Sequence, residues 1–275
     1  MDKLILKKAI CALLSVMLCL SVVCACSGSP SDEQPTLPKL VIGVDYYEPF
    51  VYRNADGDYA GLDIDLATEV CKQIGYEPEF KHIDWCDKNT LLANGSIDCI
   101  WCCFTETGRE DEYAWAAPYM NSRQVVAVKT DSDITKISDL RGKRVAVQST
   151  TKADEILSGR SGVRGVVVPE LKQLNCLPNI EYMFAAISEG YVDAIAGHEL
   201  VLREYMKTSS VGLRIVEEPL LEVQIGVAFL LGTHSEIVGK INDAFRLLKN
   251  NGFMSRLVSD YGLSPDVYVV NYEED

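Results

Sequence analysis

Residues 40–75 read LVIGVDYYEPFVYRNADGDYAGLDIDLATEVCKQIG, and this stretch decides the fold class. It opens on Leu40–Val44, a continuous apolar run that is typical of a buried parallel strand. A polar turn at Asn54–Gly57 follows, and Asp63–Ile74 then carries apolar residues at helical spacing with acidic residues in its first turn. Gly75 is a typical helix stop. The stretch therefore predicts a strand, a turn and a helix.

The elements after this helix continue the same alternation. Pro78–Ile83 predicts a strand, Lys88–Asn94 a short helix and Ile97–Trp101 another strand. The resulting order β-α-β-α-β indicates an α/β domain with right-handed crossovers.

The pattern restarts after Asp131–Asp133, which indicates a second unit of the same kind. Because no long Pro- or Gly-rich linker separates the two units, we expect two lobes joined by extended crossings, with a C-terminal segment docked on one of them. The later predicted strands are Arg144–Gln148, Val163–Val168, Val192–Ala196 and Gln224–Leu230. The later predicted helices are one that begins near Thr150–Ala153, Tyr182–Glu189, and Ser235–Asn250, which Gly252 ends.

Composition and charge narrow the class of protein. With 275 residues, 48% hydrophobic and 24% charged, the chain has the composition of a soluble globular protein long enough for one large or two ordinary domains. Its 26 Lys and Arg stand against 40 Asp and Glu, a formal net charge of −14. So negative a charge excludes nucleic acid and disfavours anionic membrane surfaces as direct partners. Small ligands stay open, because a local cluster of charge can oppose the global sign.

The N-terminus predicts a signal peptide. Lys3, Lys7 and Lys8 precede an apolar stretch over Ala9–Val23. At about 1.5 Å per residue this stretch is too short for a hydrocarbon core about 30 Å thick. We therefore interpret residues 1–25 as a cleaved signal and not as a membrane-spanning helix.

The end of this signal resembles a bacterial lipobox. Val23-Cys24-Ala25-Cys26 has an aliphatic residue three places before the last cysteine and a small residue just before it. By that resemblance Cys26 becomes the lipidated first residue of the mature protein and anchors it to the cell membrane. The alternative is an ordinary secretory signal with incidental cysteines. Residues 26–38 then have the composition of a mobile tether.

Six cysteines follow the signal and the lipobox, and an exported protein can pair them in disulfides. Cys99 instead falls inside an apolar strand and Cys71 on the apolar face of a helix, as buried thiols do. We therefore expect mostly free thiols. Because few histidines accompany them, we expect no metal site. The six are Cys71, Cys86, Cys99, Cys102, Cys103 and Cys176.

Several short and different motifs follow one another along the chain, and their order and spacing are informative. They are Ile42–Asp45, Tyr47–Phe50, Gly61–Ala67, Asn94–Asp98, Thr105–Arg109, Pro118–Tyr119, Asp139–Lys143 and Gly190–Ala194. On these motifs the chain resembles, from about Leu40 to Tyr261, the family 3 solute-binding proteins, which are polar amino-acid receptors of ABC importers. The resemblance implies an α/β fold of the type II periplasmic-binding-protein kind, a bilobe with the ligand in the cleft. It places lobe one at residues 39–127 plus 222–275 and lobe two at residues 128–221.

The resemblance also implies that an Arg after the third strand of lobe one binds the carboxylate of the ligand. Arg109 occupies that place. A guanidinium is always charged and offers a planar fork that matches a carboxylate. The alternative is that Arg109 pairs with Glu106, Glu110 or Asp111 on a solvated loop.

Hydroxyl groups complete the expected carboxylate site. Thr150 and Thr151 follow a strand and open a helix, where hydroxyls and free backbone N–H groups form an anion site. Simple N-capping is compatible with the same residues. By the resemblance, Thr105 and the backbone around Cys103 help to hold the carboxylate or the ammonium. Arg109 and the two threonines would then hold one anion between the lobes.

Aromatic residues are expected to form the walls of the site. By the resemblance, Tyr47 is the aromatic clamp after the first strand, Trp85 is a second wall and Phe104 a third. Aromatic faces bury apolar parts of a ligand and can receive a cation. Asp45 stands where relatives contact polar or basic groups of the ligand, and a role in the turn after the strand is equally compatible.

One position departs from the family pattern. Relatives place an Asp a few residues after the strand that contains Val192–Ala194, to pair with the α-ammonium, whereas this chain has His198 there. A neutral His supplies no counter-charge, and a protonated His repels ammonium. Either Glu199 or Asp45 supplies the carboxylate, or the ligand is not an ordinary α-amino acid.

These features predict the extracytoplasmic substrate-binding component of an ABC importer, a monomer that is not an enzyme and needs no cofactor. It would capture an amino acid or an analogue by closing two lobes about a hinge, and would deliver it to a membrane permease. Two alternatives stay open. One is an enzyme similar to cyclohexadienyl dehydratases, with His198 and Glu199 as acid and base; the other is a ligand-sensing receptor module.

Overall fold

The computed structural model describes residues 36–270. The predicted signal peptide, the predicted lipidation site Cys26 and most of the predicted tether over residues 26–38 lie outside this range. Residues 36–38 are exposed and have no regular secondary structure. None of the helices between residues 36 and 270 is both long and apolar enough to cross a membrane.

A large mixed sheet organises the described residues, in the strand order β4-β1-β5-β12-β7-β10-β8-β9. At its sides β6 pairs with β12 and β11 with β7, while β2 and β3 form a separate small sheet. The strands are β1 (Lys39–Val44), β2 (Tyr52–Arg53), β3 (Tyr59–Ala60), β4 (Glu77–His82), β5 (Cys99–Thr105), β6 (Tyr113–Trp115), β7 (Met120–Lys129), β8 (Arg144–Gln148), β9 (Gln173–Leu177), β10 (Ala194–His198), β11 (Leu213–Ile215) and β12 (Leu221–Leu230). The helices are α1 (Leu62–Ile74), α2 (Lys88–Ala93), α3 (Lys152–Leu157), α4 (Ile180–Ser188), α5 (Glu199–Met206), α6 (Ser235–Asn250), α7 (Phe253–Asp260) and α8 (Pro265–Tyr268).

The first half of the sheet, defined as β4, β1, β5 and β6, confirms the predicted β-α-β-α-β order. Strand β1 pairs in parallel with β4 on one side and with β5 on the other. Helix α1 ends, as predicted, where Gly75 adopts a left-handed φ of 76°. At the start of this helix Gly61 has a φ of 125°, and a Cβ there would lie 2.2 Å from the carbonyl oxygen of Phe50. Only glycine fits that position.

Two long antiparallel strands, β7 and β12, connect the halves. They pair with each other from Met120 opposite Ile225 to Gln124 opposite Leu221. Beyond this region β12 continues beside β5, and β7 continues beside β10. The sequence predicts part of β12 and does not predict β7.

The second half of the sheet, defined as β8, β9, β10 and β11, contains one correction. Strand β8 pairs in parallel with both β9 and β10. The predicted strand at Val163–Val168 is wrong, because the strand beside β8 is Gln173–Leu177. Gly162 and Gly165 have φ values of 70° and 84°, outside the range of a strand. Val167 is 85% exposed, so this apolar segment is not a buried strand. The prediction relied on apolar composition alone and placed the strand too early in the chain.

Two apolar clusters stabilise the sheet, a larger one that includes residues of β1, β5, β12, α1 and α6 and a smaller one that includes residues of β8 and α3. Cys71 and Cys99 are fully buried in the larger cluster, as predicted. The six cysteines among residues 36–270 are free thiols. Cys99 and Cys102 have C-x-x-C spacing, but three residues along a strand place their side chains on opposite faces.

Asn179 is the N-cap of helix α4, and a substitution there tests how much this cap contributes to the stability of the fold. Its side-chain oxygen accepts a hydrogen bond of 3.1 Å from the backbone N–H of Tyr182, as an N-cap residue does. We expect Asn179→Ala to lower the free energy of unfolding by about 1 kcal/mol. Asn179→Ser should restore most of that loss in urea denaturation, since Ser is also a good N-cap; equal losses for Ala and Ser would contradict the capping role.

Candidate functional site

A cavity with about 320 Å³ of atom-free space lies at the carboxyl ends of strands from both halves of the sheet. Asp45 and Tyr47 follow β1, and Cys102–Thr105 end β5. Gln148 ends β8, and His198 ends β10. The remaining wall residues are Trp85, Arg109, Thr151 and Lys152. The position at strand ends is usual for a small-molecule site in an α/β protein.

All of the predicted site residues except Thr150 and Glu199 line this cavity. Gln148 and Lys152 also line it, although the sequence analysis does not single them out. Lys152 directly follows the two candidate threonines. A cationic residue next to hydroxyl groups at the start of a helix could have been predicted as part of an anion site. Gln148 is the last residue of a predicted strand, the place where α/β proteins put polar site residues.

Arg109 lies in the cavity wall, and its side chain is only 3% exposed. Its Nε and NH2 donate hydrogen bonds of 3.0 Å and 2.6 Å to one oxygen of Glu155, in helix α3. Its NH1 donates to the Thr105 carbonyl at 3.2 Å, and its Cζ lies 4.8 Å from the ring centroid of Phe104. Arg109 therefore does not pair with its acidic sequence neighbours on a solvated loop.

Two buried lysines that the sequence analysis missed lie close to Arg109. Lys88 donates to the hydroxyl of Thr150 at 2.8 Å, and both Lys88 and Arg109 approach the Thr150 carbonyl. The Nζ of Lys152 lies 2.5 Å from Glu155 Oε2. Burial lowers the pKa of Lys88 to about 8, and the charge of Arg109 contributes. The pKa of Lys152 is lowered for the same two reasons, although Glu155 opposes them.

The two threonines at the start of helix α3 have different roles. Thr150 has a φ of 60°, and its N–H donates to the Asp154 carboxylate at 2.9 Å. With its hydroxyl bound to Lys88, it does not line the cavity. Thr151 does line the cavity, and it is the N-cap of the helix. Of the two threonines predicted to bind an anion, only Thr151 lies in the cavity wall.

His198 is a neutral residue whose two ring nitrogens are both engaged. Its Nδ1 lies 2.9 Å from Ser122 Oγ, and its Nε2 lies 3.1 Å from Thr105 Oγ1. Burial lowers the pKa of His198 to about 3, and the charge of Arg109 contributes. Strand β10 runs two residues beyond its predicted end, which brings His198 into the cavity wall.

Glu199, by contrast, is turned away from the cavity because it begins helix α5. Its two carboxylate oxygens accept hydrogen bonds of 2.6 Å from Arg123 and 2.8 Å from Arg203. It does not line the cavity. The expectation that Glu199 supplies the counter-charge for an ammonium is therefore not supported by its position.

Asp45 lies at the mouth of the cavity. It lines both the cavity and an open outer pocket, whose wall also contains Asp84, Asp87 and Glu181. Its Oδ2 accepts a hydrogen bond of 3.2 Å from Gln148, across the two halves of the sheet. Burial raises the pKa of Asp45 above its ordinary value.

The three aromatic residues predicted as walls of the site lie around the cavity. Tyr47, Trp85 and Phe104 all line the cavity and are at most 8% exposed. Trp85 and Phe104 meet edge to face, with ring centroids 5.4 Å apart. Among residues 36–270, the indole N–H of Trp85 is buried without a hydrogen-bond partner. This wall therefore offers apolar surface, and Trp85 in it carries a buried donor without a partner.

A buried carboxylate, Asp63, supports the β5 end of the cavity. Its Oδ2 accepts a hydrogen bond of 2.6 Å from the N–H of Cys103, and its Oδ1 accepts one of 2.7 Å from the hydroxyl of Tyr119. Cys103 has a left-handed φ of 47°, which is unusual for a residue other than glycine. Burial raises the pKa of Asp63 to about 7, although both hydrogen bonds oppose the rise.

The thiols in the cavity wall are not set up as nucleophiles. Burial raises the pKa of Cys102 and of Cys103 well above the ordinary range, so both thiols stay protonated at neutral pH. Within residues 36–270, no three His, Cys, Asp or Glu side chains are grouped so that they could hold a metal ion.

Comparison with known proteins identifies what the chain is similar to. The family model described as bacterial extracellular solute-binding proteins, family 3, matches residues 40–264. The L-cystine-binding protein TcyA of Bacillus subtilis is 28% identical over 269 residues, which cover 92% of this chain and 96% of that protein.

Solved structures give the same result. The substrate-binding protein of an amino acid ABC transporter superposes with a TM-score of 0.72 at 27% identity, covering 81% of this chain and 98% of the other. An ancestral amino acid-binding protein, AncCDT-1, described as a precursor of cyclohexadienyl dehydratase, has a TM-score of 0.71 at 25% identity, over 81% of this chain and 95% of the other. The large mixed sheet is thus shared with bilobed amino-acid-binding proteins, which confirms the predicted fold class.

Proposed function

We propose that this chain, which belongs to family 3 of the bacterial extracellular solute-binding proteins, is the substrate-binding component of an ABC importer. Its ligand is an amino acid or a related small carboxylate. The observation that carries the proposal is the buried guanidinium of Arg109, which lies in the wall of a cavity between strand ends of the two half-sheets. A relative that binds L-cystine and a structural neighbour from an amino acid transporter support it.

Ligand capture proceeds by closure of two lobes, residues 39–127 plus 222–275 and residues 128–221. Strands β7 and β12 run from one proposed lobe to the other, and they serve as the hinge. Contacts such as Arg109 with Glu155 join the lobes and would be lost on opening. Interactions that exist only in the closed form are what allow a ligand to drive closure. A micromolar dissociation constant corresponds to about −8 kcal/mol, within reach of a charge-assisted carboxylate clamp.

The N-terminal proposals concern residues that the structure does not describe. Residues 1–25 act as a signal peptide, Cys26 is lipidated, and residues 26–38 tether the binding domain to the outer face of the cell membrane. The protein acts there as a monomer and delivers its ligand to an ABC permease. The family to which the chain belongs is extracellular, which fits this location.

An enzyme on the same scaffold receives less support from the geometry. The AncCDT-1 likeness makes a cyclohexadienyl-dehydratase activity worth considering. His198 and Glu199, the candidate acid and base, are not assembled at the cavity, because Glu199 is held by two arginines outside it. The close relatives of the chain are binding proteins.

A thermal-shift screen of the purified protein against amino acids, oxo acids, hydroxy acids and small peptides tests the function. A true ligand present at a hundred times its dissociation constant stabilises the folded protein by about 2.7 kcal/mol. We expect at least one free carboxylate to raise the melting temperature, and its amide or methyl ester, used as the matched control, to have no effect. Equal shifts with the uncharged analogue would contradict a carboxylate site at Arg109.

A further inference from the structure

The buried side chains around Arg109 carry more positive than negative charge. Lys88, Arg109 and Lys152 are all buried, with exposed fractions of 3%, 3% and 1%. In residues 36–270, the carboxylate that lies within 4 Å of their charged nitrogens is that of Glu155, which contacts Arg109 and Lys152. Lys88 donates to neutral oxygen atoms instead. Because buried charge without a counter-ion is costly, the cluster favours an anionic ligand.

The wall next to Arg109 is neutral. Thr105 contacts Arg109 through its carbonyl at 3.2 Å and His198 through its hydroxyl at 3.1 Å. A substituent on the carbon next to a carboxylate at Arg109 therefore lies within reach of Thr105 and His198. An ammonium there lacks the counter-charge of a carboxylate, because Ser122 and Thr105 engage both ring nitrogens of His198. The Thr105 hydroxyl has a lone pair that can accept from an ammonium, but it supplies no negative charge.

Five nearby carboxylates are not placed to replace the missing charge, and the first of them, Glu106, does not line the cavity. Glu199 is held by two arginines and does not line the cavity. Asp63 is committed to a backbone N–H and a tyrosine hydroxyl and does not line it either. Asp45 lies at the mouth, where it accepts a hydrogen bond from Gln148. Glu155 is already bridged between two cations.

The cavity has a surplus of hydrogen-bond donors instead. The indole N–H of Trp85 is unpartnered, although the side chain is only 8% exposed and lines the cavity. An oxo or hydroxyl oxygen on the ligand can accept from such a donor. An ammonium only donates, so it matches neither the free donor nor the excess of positive charge.

We infer that the cavity prefers a small carboxylate with a hydroxyl or oxo oxygen on the adjacent carbon over the α-amino acid of the same skeleton. This inference rests on the proposed function, since it assumes that a carboxylate binds at Arg109. Replacing the ammonium by an oxygen removes repulsion from the buried cations and gives the unused donor a partner. The ligand class is therefore that of 2-hydroxy and 2-oxo acids.

Isothermal titration calorimetry on the full chain tests this preference with sets that share a carbon skeleton. One set is L-alanine, L-lactate and pyruvate; a second is L-glutamate, L-2-hydroxyglutarate and 2-oxoglutarate; a third is L-phenylalanine, L-phenyllactate and phenylpyruvate. In every set that binds, we expect an oxygen-bearing member to bind at least tenfold more tightly than the amino acid.

A variant that adds a negative charge to the cavity wall provides a second test. Selection of ligands by size alone would not change its ratio of affinities for the amino acid and the oxygen analogues. His198→Asp places a carboxylate in the wall beside Thr105, and it should shift the affinity ratio at least tenfold toward the amino acid. His234→Asp is the matched control, because it makes the same change at a residue outside the cavity, and it should leave the ratio unchanged.

The outcomes separate the two proposals. An amino acid that binds as tightly as its oxygen analogues, or more tightly, overturns the preference and leaves the carboxylate-binding function in place. Binding of no member of any set overturns both. The titration of the unmodified protein decides by itself whether oxygen-bearing acids bind more tightly than the amino acid. The test therefore remains valid if the His198→Asp protein fails to fold.

Discussion

Arg109→Ala is expected to lower the affinity for the carboxylate ligand at least a hundredfold, which corresponds to about 2.8 kcal/mol. The guanidinium is buried in the cavity wall, where a charge-assisted hydrogen bond to a carboxylate is stronger than one in water. The variant should stay folded, because Glu155 keeps Lys152 as its partner and no carboxylate is left unpaired. Calorimetry with the ligand found by the thermal-shift screen measures the loss, and circular dichroism checks the fold.

Two further variants make the result specific to Arg109. Arg109→Lys keeps the charge and removes the planar fork, so we expect an intermediate loss. Arg144→Ala is the control, because it removes a guanidinium that pairs with Asp193 within one proposed lobe and away from the cavity. Full affinity in Arg109→Ala, or equal losses in Arg109→Ala and Arg144→Ala, would remove the carboxylate assignment.

The elements of the fold that depend on local pattern were predictable from the sequence. The apolar run at Leu40–Val44 and the helix that stops at Gly75 are specified by neighbouring residues, and the structure places both as expected. Strand β7 was missed, because its residues alternate less regularly and its partner β12 lies about a hundred residues away in the chain. Strand β9 was missed, since QLNCL mixes polar and apolar residues and none of them is fully buried. Only its pairing with β8 makes that segment a strand.

The candidate site shows the same division between local and long-range information. Arg109 and the aromatic walls were found because they stand next to recognisable motifs, and they line the cavity. Lys88 and Glu155 were missed, because their importance comes from contacts with residues 62 and 46 positions away. Glu199 lies outside the cavity at the start of helix α5, where Arg123 and Arg203 bind its carboxylate. Arg123 is 76 positions away in the chain, so sequence spacing alone does not reveal this contact.

Asp63→Ala is expected to lower the free energy of unfolding by about 3 kcal/mol. The substitution leaves two buried donors, the N–H of Cys103 and the hydroxyl of Tyr119, without their acceptor. Each lost partner costs about 1–3 kcal/mol. The left-handed backbone of Cys103 also loses the contact that holds it. Urea denaturation measures the loss, and Asp65→Ala, an exposed change two residues along the same helix, should show a much smaller one.

Asp63→Asn separates the charge of the group from its hydrogen bonds. Because the pKa of Asp63 is raised to about 7 in the folded protein, the folded state holds this proton more tightly than the unfolded state does. Its stabilising contribution is therefore complete at low pH and is lost as pH rises from about 4 to about 7. Asn carries no such proton, so Asp63→Asn should be destabilised relative to wild type at pH 5 and less so at pH 8. Other titrating groups are common to both proteins and cancel in this difference. A difference in unfolding free energy that does not change between pH 5 and pH 8 would show that Asp63 is ionised throughout, and that the hydrogen bonds from Cys103 and Tyr119 outweigh its burial.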